Sequence, residues 1–178
     1  MRLEGEGETE GVSLGIDFLA RVAEGETTRL EGPAVIVGGG NTALDAARTA
    51  IRLGASPVSI VYRRSIKEMP AHRDEVDAAR HEGIQIHFLT NPVGLEREGN
   101  KLTGVVCIRM VLADDPQGGR PRPVPQEGSE HSLPCATLIG AIGQGVDTGF
   151  YSATPDLELT RWGTVVVNPG TMATNLPG

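Results

Sequence analysis

The sequence predicts an α/β fold: a parallel sheet covered by helices, with an antiparallel β-meander added to it. Three observations predict it. Between residues 34 and 89, short apolar runs alternate with segments of helical periodicity, an order that demands parallel strands joined by right-handed crossovers. Aromatic residues make up only 3% of the chain, so the core rests on Val, Ile, Leu and Ala, as in a sheet buried on both faces. From Asn91 onward, two strand-like runs flank a Glu98-Gly99-Asn100 turn, which reads as an antiparallel pair.

The elements follow in order. After an acidic arm, Ile16, Leu19, Ala20 and Ala23 recur at helical spacing and Gly25 ends the helix. Ala34 to Gly38, behind Pro33, is a continuous apolar run and reads as a buried strand. Asn41 to Leu53 follows as a helix with Ala43, Leu44, Ala47, Ala50 and Ile51 on its core face, Arg48 and Arg52 outward, and Gly54 as its stop. Val58 to Tyr62 is a second strand, rich in β-branched residues. His72 to Glu82 is the next helix, closed by Gly83, and Ile84 to Leu89 the third strand. Val93–Arg97 and Leu102–Leu112 form the hairpin. The Pro-, Gly- and charge-rich stretch 114–130 reads as its solvated extension and not as a binding site. Cys135 to Gly143 then returns to the parallel sheet, and Thr164 to Asn168 is a last Gly-bounded strand. On this reading residues 1–30 are an N-terminal arm and linker helix, 31–150 the main domain and 151–178 a C-terminal linker segment.

Composition excludes several functions. A net charge of −7 argues against nucleic acid, which requires a basic surface. Cys107 and Cys135 form no Cys-x-x-Cys pair, and no Cys/His cluster has metal-ligand spacing, so no metal is expected. Two reduced thiols in a cytoplasmic protein are the expectation. The acidic start lacks the regions of a signal peptide, and no apolar run approaches the roughly 20 residues of a membrane span.

The strongest chemical signal is Gly38-x-Gly40-x-x-Ala43, set between a strand and a helix within a βαβ unit. That context makes the fold Rossmann-like, of the FAD/NAD(P)-binding domain type. Gly38 permits the tight turn, Gly40 lets a pyrophosphate reach the backbone, and Ala43 keeps helix close to strand. The helix N-terminus then offers free N–H groups and the positive end of its dipole. Asn41 is placed to cap that helix and to reach the ligand with its amide. The end of the second strand selects the cofactor. NAD-preferring folds carry an acidic residue there. This chain instead has Arg63, 20 positions after Ala43, then Arg64 and Lys67, a set suited to gripping a 2′-phosphate. NADP(H) is therefore expected over NAD(H), the alternative being a solvated basic strand end. No catalytic set is present: Tyr62 and Tyr151 are not followed four positions later by Lys, and no Gly-x-Ser-x-Gly elbow exists. His72, His81, His87 and His131 are scattered, with His72 and His81 expected at the surface.

These motifs, namely residues 35–55, 61–76, 81–95, 114–130 and 139–145 read together, resemble the small (beta) subunit of glutamate synthase and its relatives. That group belongs to the FAD- and NAD(P)-dependent pyridine-nucleotide oxidoreductases. The resemblance runs from about Gly11 to the end. It implies a domain that holds NADPH and delivers its hydride to FAD on a neighbouring domain of a parent chain, with a larger electron-accepting subunit as a further partner. It also implies roles for residues: Gly38, Gly39, Gly40, Asn41 and Thr42 around the pyrophosphate, Arg63 and Arg64 on the 2′-phosphate, and Ala141, Ile142, Gly143 and Gln144 near the nicotinamide.

The departures from the family are informative. The earlier Gly-x-Gly-x-x-Gly for FAD and the N-terminal cysteine clusters do not occur, and Cys135-Ala136 stand where Ala-Asp is usual. The chain stops at Thr174-Asn175-Leu176-Pro177-Gly178, where the family's Gly-Asp flavin motif should begin. An excised nucleotide domain, inactive alone, is therefore expected. The rivals are an NADP(H)-sensing module that transfers no hydride and a free-standing NAD(P)-dependent dehydrogenase. A thioredoxin-reductase-like activity is not expected, since that group places Cys-x-x-Cys in its nicotinamide domain.

Overall fold

Alternating side chains of each central strand feed two different cores, and this explains the layering of the computed structural model. The structure describes residues 1–114, 119–143 and 145–177. In chain order it contains β1 (Val12–Leu14), α1 (Gly15–Ala23), β2 (Ala34–Val37), α2 (Asn41–Arg52), β3 (Val58–Tyr62), α3 (Arg73–His81) and β4 (Gln85–Phe88). There follow β5 (Thr90–Glu98), β6 (Lys101–Ala113), β7 (Arg122–Pro125), β8 (His131–Pro134) and β9 (Thr137–Gly140). Among the described residues β1-β9-β2-β3-β4 form a parallel sheet. Ala34, Ile36, Val58, Ile60, Tyr62 and Ile139 face the helices, whose contribution is dominated by Ala43, Leu44, Ala46, Ala47 and Ala50 of α2 with Val76 and Ala79 of α3. Val35, Val37, Val61 and Leu138 face the other way, onto Leu102, Val105 and Cys107 of β6. A strand buried on both faces has no polar positions to alternate, hence the continuous apolar runs.

The antiparallel layer is the expected meander, with two additional strands, β7 and β8. β6 pairs with β5 through Thr90↔Arg109 to Glu98↔Lys101, with β8 alongside Gly104–Cys107, and with β7 at Met110–Ala113. Strand β7 holds Pro123 and Pro125, which an edge position tolerates because one side of the ladder is vacant. The 114–130 stretch is thus a hairpin extension, as expected, although Asp115, Pro116, Gln117 and Gly118 lie outside the described residues.

Three readings need correction. The first helix buries Gly15 and Phe18, with Leu19 and Val22 half-buried; Ile16, Ala20 and Ala23 point to solvent. The helix begins directly after β1, and this fixes its rotation so that the aromatic Phe18, the largest apolar side chain available, enters the core. Strand β1 itself lies within the N-terminal arm and adds to the parallel sheet beside β9. Thr164–Asn168 is not a strand: a single bridge, Leu159↔Val165, is all it forms among the described residues. An extended segment held by one bridge, with no ladder, has little to hold it as sheet.

Two compact units can be delimited, Met1–Ile142 and Gly143–Gly178.

Arg48 and Arg52 lie on the outer side of α2, as expected, and there share Glu82, which closes α3. Arg48 Nε and Nη2 donate at 2.9 and 2.5 Å and Arg52 Nη2 at 3.2 Å. This holds the Glu82 carboxyl below the usual range, chiefly through the Arg48 hydrogen bond. His72 and His81 are exposed, as expected.

Both cysteines are free thiols, buried between the two sheets. Burial pushes each thiol up to about 12, with the neighbouring Cys107 and Glu96 adding to the effect at Cys135. The thiolate is the reactive form, so neither should react while the fold is intact. Ellman-type titration is expected to find no fast-reacting thiol in native protein and two after denaturation. A fast native thiol would mean that the layer between the sheets opens readily.

Candidate dinucleotide site

The connection order changes direction beside β2. The chain runs from β2 through β3 to β4 on one side, whereas β9 inserts on the other. Open α/β sheets bind ligands at such a switch point, at the carboxyl ends of the strands. The carboxyl ends of β2 and β9 are Gly38–Gly40 and Ala141, and they are tied together: Ala141 N–H donates to the Val37 carbonyl at 2.7 Å.

The three glycines are glycine for three different reasons. Gly38 has φ +147°, and a Cβ there would collide with the Ala141 carbonyl oxygen, so its smallness serves the β2–β9 junction. A Cβ on Gly39 would fall 2.5 Å from the Tyr62 ring, which lies under the turn. At Gly40 a Cβ would meet nothing within 4 Å, and the residue has extended backbone at φ −92° and ψ 175°. Protein packing therefore does not account for Gly40, and the space over it is open. Ala43 is fully buried against the sheet, as the motif requires.

Gly40, not Asn41, is the N-cap of α2, which corrects the expected role of Asn41. The amide of Asn41 instead accepts the His72 N–H at 3.3 Å, linking the turn to the start of α3. Without a side-chain cap, the N–H groups of Gly39, Gly40, Asn41 and Thr42 have no acceptor among the described residues. They form a cluster of free donors at the positive end of a twelve-residue helix.

The end of β3 supplies charge. Arg63 and Lys67 are exposed and Arg64 is half-buried. Among the described residues none of the three forms an ion pair. One carboxylate, Glu68, sits in the same turn, but it is turned to a local task. It accepts from Ser65 N at 3.1 Å and Ser65 Oγ at 2.6 Å in a capping box. The Ser65 hydroxyl is the main cause holding its carboxyl below the usual range. Reading from the motif alone missed this, although Ser-x-x-Glu at 65–68 is a visible capping signature.

The structure thus brings Gly38–Ala43, Arg63, Arg64, Lys67 and Ala141 to one edge of the sheet. Ile142 is exposed beside them, Gly143 falls in the second unit, and Gln144 lies outside the described residues. Among the described residues no group of His, Cys, Asp or Glu stands together to hold a metal, and no helix is long and apolar enough to cross a membrane.

A parallel sheet with a glycine turn at its switch point and an antiparallel layer behind it is an α/β fold of Rossmann-like type. The profile of the pyridine nucleotide-disulphide oxidoreductases matches residues 1–178, and the chain belongs to that family, which is one of enzymes. It is 44% identical over 180 residues to the "NADP(+)-dependent formate dehydrogenase subunit beta" of Moorella thermoacetica, covering 100% of this chain and 25% of that one. It is 37% identical over 168 residues to the "Glutamate synthase [NADPH] small chain" of Azospirillum brasilense, covering 94% of this chain and 34% of the relative. The chain therefore spans about a quarter to a third of these relatives' length. Among solved structures, thioredoxin reductase from Lactococcus lactis superposes with a TM-score of 0.73 at 20% identity, covering 100% of this chain and 51% of that one. FprA of Mycobacterium tuberculosis, solved in complex with NADPH, gives 0.70 at 19%, covering 96% and 52%. At such identity these two establish the fold. The resemblance to the glutamate synthase small chain stands.

Proposed function

We propose that this chain is the NADPH-binding domain of a flavin-dependent oxidoreductase of the glutamate synthase small-chain type, positioning NADPH for hydride transfer to FAD held outside these residues. The observation that carries the proposal is Gly40: a glycine with open space over it, flanked by unsatisfied N–H groups and one strand away from three cations. The N–H groups of Gly39 to Thr42 and the dipole of α2 would hold the pyrophosphate. Arg63, Arg64 and Lys67 would hold the 2′-phosphate. Ala141 and Ile142 would border the nicotinamide. When bound, NADPH supplies a hydride and FAD accepts it; the residues of this chain bind and orient. Two relatives are named as NADP(+)-dependent and NADPH-linked oxidoreductase subunits, which favours this reading over a sensor module.

Comparison of Gly40→Ala with Gly38→Ala tests the proposal. The backbone of Gly40 suits alanine, and loss of a glycine N-cap costs about 1 kcal/mol or less. We expect Gly40→Ala to keep its melting temperature within a few degrees yet bind NADPH at least about tenfold more weakly, a loss of about 1.4 kcal/mol. Gly38→Ala is expected to lower stability by several kcal/mol whether or not cofactor is present, because the β2–β9 junction must move. Unchanged NADPH affinity in Gly40→Ala would remove the pyrophosphate from this turn.

A further inference from the structure

Arg120 and Pro121, just ahead of β7, lie against the basic strand end. Pro121 accepts from Arg64 Nε at 2.9 Å, across 57 residues of sequence. The adjacent Arg120 reaches Tyr62 and the 65–68 turn. Its Nη2 donates to the Tyr62 hydroxyl at 3.3 Å and to the main-chain carbonyl of Glu68. The Tyr62 hydroxyl itself donates to that carbonyl at 2.8 Å, and the Tyr62 ring lies beneath Gly39. One aromatic residue thus links the glycine turn to an arginine from the antiparallel layer.

The acceptors are the telling feature. Arg48 and Arg52, which fasten helix to helix, share the carboxylate of Glu82. Arg64 and Arg120 are fixed by neutral acceptors, so they are positioned while their full charge is kept. Arg64 spends only Nε on Pro121, and its two terminal nitrogens have no partner among the described residues. Arg120 is exposed and forms no ion pair among the described residues. Four cations, Arg63, Arg64, Lys67 and Arg120, thereby gather at one strand end of a chain whose net charge is −7. The Glu68 carboxylate, held in its capping box, offsets one of these charges and leaves a positive excess that an anionic ligand would balance.

We propose that Arg120 is a specificity-determining residue for the phosphomonoester on the adenosine ribose, delivered by the hairpin and oriented through Tyr62. The proposal rests on the NADPH reading above and extends its 2′-phosphate site to a second structural layer. Pro121 has a positioning role, since its carbonyl sets the plane of the Arg64 guanidinium.

The test is equilibrium binding of 2′,5′-ADP and 5′-AMP to the full chain as wild type, Arg120→Ala and Arg120→Lys, with melting temperatures. The two probes differ only by the 2′-phosphate. Arg120→Ala is expected to bind 2′,5′-ADP about ten- to a hundredfold more weakly with 5′-AMP unaffected, and Arg120→Lys to recover part of the loss. If the wild type prefers 2′,5′-ADP and Arg120→Ala keeps that preference, the role of Arg120 is overturned while the strand-end site stands. Equal weakening of both probes overturns it as well, since Arg120 would then only brace the hairpin. A wild type that binds both probes alike overturns the NADPH reading and this one with it.

Discussion

Replacing Arg63 and Arg64 together with alanine is expected to weaken NADPH binding by two to four decades and to leave NADH nearly unchanged. Each charge-assisted hydrogen bond to a phosphate contributes about 1.5–3 kcal/mol, or roughly one to two decades. The two arginines are not equivalent. Arg63 is exposed, so its contribution belongs at the low end and should erode as salt is raised. Arg64 is half-buried and held by Pro121, so its guanidinium is oriented before ligand arrives, and less rotamer freedom is lost on binding. Arg64→Ala alone should therefore cost more than Arg63→Ala. It also frees the Pro121 carbonyl, so the single effects are expected not to add cleanly. Calorimetry with both cofactors at low and high salt checks this. Equal losses for NADPH and NADH would place these arginines away from the 2′-phosphate.

What the sequence made legible follows from how locally each feature is determined. Strands β2 and β3 were readable because burial on both faces demands nearly continuous apolar runs, Ala34–Val37 and Val58–Tyr62, the second interrupted only by the small, buried Ser59. The turn after β2 was readable because Gly38 and Gly40 answer to local geometry. Strand β1 was not: three residues at a sheet edge, half-exposed, carry no periodicity. Strand β7 was hidden by prolines that only its edge position excuses. The face of α1 was misread because two apolar stripes compete on one short helix, and only attachment to β1 decides between them. At the site, Arg63 and Arg64 were visible as part of a strand end, but Tyr62 beneath Gly39 and Arg120 beside Tyr62 were not. No local rule brings residue 120 to residue 62; the meander does. The pairing of β6 with β7 sets that approach.

The same geometry fixes what the chain should be unable to do. Its sequence holds one Gly-x-Gly-x-x-Ala turn, at Gly38–Ala43, whereas reduction of FAD by NADPH requires two dinucleotides fixed against each other. Among the described residues none at the proposed site is arranged as an acid, base or nucleophile; its parts are glycines, backbone N–H groups and cations, suited to binding and orienting a ligand. In hydride transfer the protein contributes mainly alignment, and alignment of reacting groups can be worth about 7–11 kcal/mol, or roughly 10⁵–10⁸ in rate. With flavin free in solution that contribution is lost. Purified as these 178 residues, the protein is expected to be colourless, to bind NADPH, and to oxidise it no faster than the free cofactor reacts, even with FAD added. Stopped-flow absorbance at the NADPH band, with and without FAD, measures this directly. A yellow preparation, or turnover of a flavin or dye at enzymatic rates, would mean that these residues complete a redox site by themselves and that the proposed division of labour is wrong.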